Sequence, residues 1–156
     1  PLVLLVGSNR SVEVVDASTM QCVSAIADTH ARAPHAVVQA VSSLYVTHAK
    51  DAYELFATAA QDSTVKLWDV RSARCVRTFA GHKSTQLPAG AAFSPCLRYL
   101  ATGSEDRSAY VYDLRGGSVL HRLRNGIGDA VTDVAFNPLS PQLAAACLDG
   151  RVHFFG

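Results

Sequence analysis

The stretch from Leu55 to Phe79, LFATAAQDSTVKLWDVRSARCVRTF, decides the fold. It reads as two short strands around a polar turn, followed by a third strand. Gln61, Asp62 and Ser63 form the turn, and Val65, Lys66, Leu67 and Trp68 alternate along the strand that follows it. Asp69, Val70, Arg71 and Ser72 interrupt the run before Cys75 to Phe79 resume it. A period of two bounded by turn formers specifies a hairpin meander, not a helix.

The unit recurs three more times. Each copy carries Asp or Asn in the turn and, seven positions later, a residue that closes the strand: Asn9 and Asp16, Asp62 and Asp69, Asp106 and Asp113, Asp149 and Gly156. The closing residues lie 53, 44 and 43 positions apart, and a period of about 40 to 45 residues with four strands per unit is that of propeller blades. At this point the chain resembles the WD-repeat family. Trp68 and Asp69 are similar to its signature dipeptide, and Gly81 and His82 to its second signature. The resemblance covers nearly the whole chain and implies an all-β partial propeller of about four consecutive blades, like the C-terminal part of a longer WD-repeat protein. The expected blades are residues 1–27, 28–80, 81–124 and 125–156, the first and last incomplete.

Composition excludes several classes. The 156 residues, 49% hydrophobic, can fill a sizeable core, and no apolar run approaches the roughly 20 residues of a membrane span. Pro1 to Val6 is too short, and lacks the basic leader, for a signal peptide. Fourteen basic and thirteen acidic side chains leave no overall field to attract nucleic acid or an anionic membrane, so neither is an expected partner. Cys22, Cys75, Cys96 and Cys147 form no Cys-x-x-Cys pair and have no histidine at ligand spacing, which speaks against zinc. Cys22 and Cys75 each follow a closing Asp by six residues, where the third copy has Val119, and read as small apolar residues of an outer strand. The cytoplasm is the expected location, with the nucleus as the alternative. Asn9, Arg10 and Ser11 form a glycosylation sequon that reads as chance in such a chain.

The inner strand of the second blade is expected through Val37 to Val41. The interval from Ser43 to Phe56 is thirteen steps where the third blade, from Pro95 to Leu100, uses five, so Leu44 to Tyr53 reads as a long inserted loop. The third unit is the most regular, and Phe93-Ser94-Pro95 reappears as Phe136-Asn137-Pro138 43 residues on.

The resemblance also implies a hydrogen-bond network in each regular blade, joining a loop histidine, a second-strand Ser or Thr, the turn Asp and a third-strand aromatic. The matching residues are His30, Thr58, Asp62 and Trp68, and then His82, Thr102, Asp106 and Tyr112. Such a set imitates a catalytic triad. Its recurrence from blade to blade argues instead that it pins the turns, because a buried carboxylate needs donors and an indole N–H needs an acceptor. The end units lack it: Ala145 stands where Thr would, and Phe155 cannot donate. Catalytic groups of a propeller would gather on the innermost strands, and these are mostly Val and Ala, such as Val37, Val38, Ala91, Ala92 and Val134. No active site, metal site or cofactor site is therefore expected.

The expected function is that of a non-enzymatic scaffold for protein–protein interaction and complex assembly. Candidate contact residues are Arg71, Arg115, Tyr45 and Tyr53 at one end of the blades and Gln61 and Glu105 at the other. The run up to Arg71 also resembles the WD-x-Arg box with which some WD-repeat proteins dock on the adaptor of cullin-type ubiquitin ligases, and Arg115 is a weaker copy. This makes a ligase substrate receptor the alternative reading, ahead of a propeller enzyme. Four blades leave two open flanks, expected at Val12 and Val14 on one side and at Val152, Phe154 and Phe155 on the other, through which two copies could associate.

Overall fold

The computed structural model describes residues 1–40, 48–49 and 54–156. Among the described residues, fourteen strands are arranged as four antiparallel sheets in chain order. The first contains β1 (Leu2–Val6), β2 (Val12–Asp16) and β3 (Gln21–Ile26). The second contains β4 (Pro34–Gln39), β5 (Leu55–Ala60), β6 (Thr64–Asp69) and β7 (Arg74–Ala80). The third contains β8 (Ala91–Phe93), β9 (Tyr99–Thr102), β10 (Ala109–Asp113) and β11 (Val119–Leu123). The last contains β12 (Val131–Phe136), β13 (Leu143–Cys147) and β14 (Val152–Phe155). Each sheet pairs its strands in sequence order, and the sheets do not close into a ring.

The seven-residue spacing has a local cause. Asn9, Asp62 and Asp149 each accept, through the side-chain oxygen, the backbone N–H two residues on. Asp16, Asp69 and Asp113 do the same for Ser18, Arg71 and Arg115. A strand of four to six residues therefore runs between two Asx turns, and seven positions is the distance from one to the next. The residue after each turn Asx has positive φ (Arg10, Ser63, Arg107, Gly150), as has the residue four after each closing Asp (Met20, Ala73, Gly117). Both turns thus repeat in backbone conformation as well as in sequence.

The core lies between sheets. Leu67, Phe79, Leu100 and Tyr112 pack the second sheet on the third, Val111, Val131, Leu143 and Ala145 the third on the fourth, and Val12, Phe56 and Trp68 the first on the second. Fully burying side chains of this size contributes about 1.5–3 kcal/mol each, before the entropy of ordering them.

Three expectations need correction. The inner strand β4 starts at Pro34 and ends at Gln39, which pairs with Phe56, rather than running from Val37 to Val41. Val41, and Tyr45 and Tyr53 of the inserted loop, lie outside the described residues. The flanks are also divided differently. Val12 and Val14, 0% and 2% exposed, face the second sheet, while the outward face of the first carries Val3, Leu5 and Val15. Phe155 packs toward the third sheet, and only Val152 and Phe154, 54% and 74% exposed, point away. The reason is the period of two: a run such as Val152 to Phe155 cannot present all of its apolar side chains on one face.

Candidate functional site

The second sheet brings its four expected residues together. Trp68 Nε1 donates to Thr58 Oγ1 at 2.8 Å, and Thr58 Oγ1 lies 2.7 Å from His30 Nε2. His30 Nδ1 is 3.1 Å from Asp62 Oδ2. Every donor finds an acceptor when the proton sits on Nδ1: indole to hydroxyl, hydroxyl to Nε2, Nδ1–H to carboxylate. Burial lowers the His30 pKa and outweighs the opposing Asp62 charge, so the ring is neutral and the chain of bonds is directional. Burial pushes Asp62 upward, but the Thr64 hydroxyl, the Ala31 N–H and His30 prevail and hold it below the ordinary carboxylate range. The network ties the loop before β4 to the β5–β6 turn and offers no nucleophile to solvent, since Thr58 is fully buried.

The third sheet does not repeat this. The Tyr112 hydroxyl, reaching further than an indole N–H, accepts from the His82 backbone N–H at 3.2 Å and meets His82 Nδ1 at 3.0 Å without an intermediary. Thr102, bypassed, donates to the Gly90 carbonyl. Asp106 turns to Tyr110, whose hydroxyl donates at 2.7 Å, and to the Arg122 guanidinium, also at 2.7 Å. Burial pushes Asp106 up, and the Tyr110, Ser104 and Arg122 contacts more than reverse it. His82, buried, is depressed to about 4, while burial and neighbouring negative charge raise Tyr110 and Tyr112 to about 12 each. Tyr110 and Arg122 escaped the sequence reading; the signal was a second aromatic two residues before Tyr112, hence on the same face of the strand.

Of the candidate contact residues, Gln61 and Glu105 are engaged internally. Gln61 Nε2 donates to the Gln86 carbonyl. Glu105 accepts the backbone N–H groups of Thr85, Gln86 and Leu87 at 2.6, 2.6 and 2.9 Å, and the Thr85 hydroxyl at 3.2 Å. Partial burial works against ionisation there, but these donors hold the carboxyl down at about 2. Both residues therefore fasten the 84–89 segment. At the opposite end Arg71 and Arg115 are exposed, each two residues past a closing Asp. Arg71 Nη1 lies 3.4 Å from Glu54, an exposed ion pair worth about 0–1 kcal/mol.

A profile described as "WD domain, G-beta repeat" matches residues 34–69, 73–113 and 117–155. The chain belongs to the WD-repeat family. Among curated proteins, the chain is 32% identical over 93 residues to "Nuclear distribution protein PAC1" of Ajellomyces capsulatus (strain H143), covering 59% of this chain and 20% of that protein. It is 28% identical over 115 residues to "WD repeat domain-containing protein 83 homolog" of Dictyostelium discoideum, covering 74% and 34%. With "Guanine nucleotide-binding protein subunit beta" of Solanum tuberosum it shares 34% identity over 108 residues, covering 66% and 26%. The chain therefore spans between a fifth and a third of the length of these relatives. Proteins built from WD repeats are generally protein-interaction scaffolds, and the four sheets are blades of such a partial propeller.

Proposed function

We propose that this chain is a non-enzymatic part of a protein-assembly scaffold, and that it meets its partners at the end of the blades where the first-to-second and third-to-fourth strand turns emerge. The carrying observation is the contrast between the two ends. At one, Gln61 and Glu105 are used up in holding the chain's own backbone. At the other, Arg71 and Arg115 project from equivalent turns of successive blades. Exposed side chains on rigid turns can be given to a partner without unfolding cost. Cross-linking and affinity purification of the protein, with Arg71 and Arg115 both changed to Ala, tests this. Loss of the same co-purifying proteins with an unchanged melting curve is the expected result, and an unchanged partner set overturns the assignment of this end.

A second reading, the substrate receptor of a cullin-type ligase, is supported by the 69% exposure of the Arg71 side chain in the WD-x-Arg position. Recovery of the ligase adaptor with the parent protein and not with Arg71→Ala supports it; absence of the adaptor from both removes it.

A further inference from the structure

Between the second and third blades, at this same end, lies a cleft of about 850 Å³ with an apolar floor and a cationic rim. Leu55, Leu67, Phe93 and Leu114 form the floor, and Arg77, Arg98 and Arg115 stand around it. The backbone fixes where these arginines stand. Arg77 lies opposite Leu67 in the β6–β7 register, which turns it toward the third blade. Its stem crosses Gly117, where a Cβ would come within 2.8 Å of Arg77 Cδ, and its Nη1 donates to the Gly116 carbonyl at 3.4 Å. Arg98 and Arg115 lie on two turns stapled together by the Leu114 N–H, which donates to the Arg98 carbonyl at 2.9 Å. The Arg98 guanidinium stands 5.7 Å from the centre of the Tyr99 ring, a contact that leaves its charge unneutralised.

Among the described residues no carboxylate lies within ion-pair distance of Arg77, Arg98 or Arg115. Asp113, the acid among the described residues that line the cleft, is committed to its turn, accepting the Arg115 N–H at 3.3 Å. Among the described lining residues, three guanidiniums around one carboxylate, in a chain whose formal net charge is only +1, are a local concentration of positive charge. A partner that fits must bring carboxylates for the rim and aliphatic side chains for the floor.

We propose that this cleft is the docking site for an acidic, aliphatic peptide segment of a partner protein. The inference rests on the scaffold reading and names the partner chemistry of that end. Guanidinium pairs carboxylate in a bidentate fork, and the floor takes the leucine-like side chains between the acids, so charge supplies orientation and the apolar floor supplies residence.

The test uses fluorescence anisotropy with the 156-residue protein and a short fluorescein-labelled peptide of alternating glutamate and leucine. Comparison peptides replace glutamate by glutamine, or leucine by serine. The parent should bind the first peptide, bind both others more weakly by about tenfold or more, and lose affinity as salt rises. Arg98→Glu and Arg115→Glu should each weaken binding by about tenfold, and Arg107→Glu, on the opposite end, should leave it unchanged. Melting curves of all three variants establish that they are folded. Equal affinity for the glutamate and glutamine peptides, no binding by the parent, or loss with Arg107→Glu equal to that with Arg98→Glu each overturns the proposal. If partner proteins still co-purify in an Arg71- and Arg115-dependent way while the peptide fails, the scaffold reading stands and this cleft is not its docking site.

Discussion

Trp68 Nε1 lies 2.8 Å from Thr58 Oγ1, so the most bulky side chain of the second blade is held by a hydroxyl with no exposure to water. Thr58→Val keeps the shape and removes the oxygen. It strands the indole N–H and His30 Nε2 together, and should cost about 2–4 kcal/mol. Chemical denaturation measures this, and the same change made in a Trp68→Phe background should cost clearly less. Additive losses would show that the two groups do not communicate.

In the third blade the coupling partner of Asp106 is Tyr110, not His82. Asp106→Ala should destabilise by about 1–3 kcal/mol. A double-mutant cycle with Tyr110→Phe should show a coupling of about 1 kcal/mol or more, and one with His82→Ala close to zero. The reverse order of coupling would return Asp106 to the His82 network.

These two blades show what the sequence makes legible and what it hides. The turn positions were readable because an Asx turn depends on the local side chain alone, and Asn9, Asp62 and Asp149 all form one. The set of His30, Thr58, Asp62 and Trp68 was implied by the family resemblance, onto whose pattern these four positions map. Blade three was not, because replacing an indole by a longer phenol at position 112 changes reach rather than spacing. Tyr112 then meets His82 directly, and Asp106 is released to Tyr110 and Arg122. The internal use of Gln61 and Glu105 was hidden for another reason: their partners are backbone groups of the 84–89 segment, which leave no mark in residue identity.

Glu105 should make stability sensitive to strong acid. Its folded pKa of about 2 lies below the ordinary 4.5, so its contribution is complete above about pH 4.5 and is lost as pH falls toward 2. Because the carboxylate is only partly buried and solvent screens it, the contribution is about 1 kcal/mol rather than the full linkage value. The parent should be more stable than Glu105→Gln at pH 6, with the difference closing by pH 2. A constant difference across that range would show that the three N–H groups do not discriminate between the charged and neutral side chain.

His82 acts in a separate window. Its folded pKa of about 4 is below the 6.5 of the free side chain, so the unfolded chain takes up the proton first and stability declines as pH falls from 6.5 toward 4. The loss by pH 4.5 should be about 2 kcal/mol. Imidazole chemical shifts followed by NMR should place the His82 midpoint near 4, and a midpoint above 6 would mean that the ring is reached by water and that Tyr112 does not shield it.

Phe154 and Phe155 are neighbours in sequence and opposites in environment, which makes the last strand a test of the blade arrangement. Phe155 pairs across the ladder with Leu143 and joins the apolar cluster between the third and fourth blades, whereas Phe154 pairs with Ala144 on the outward face and is 74% exposed. A carboxylate at 155 would enter that cluster without a partner, so Phe155→Glu should destabilise by about 2 kcal/mol or more. Phe154→Glu should change stability by no more than about 0.5 kcal/mol. It removes the largest apolar side chain from the face through which two copies could associate, so any concentration-dependent mass in light scattering should respond to Phe154→Glu and not to a change at Val12, which is buried against the second blade. Equal destabilisation by the two Phe variants would mean that the outward face of β14 is covered, and that the fourth blade is not the open flank of this chain.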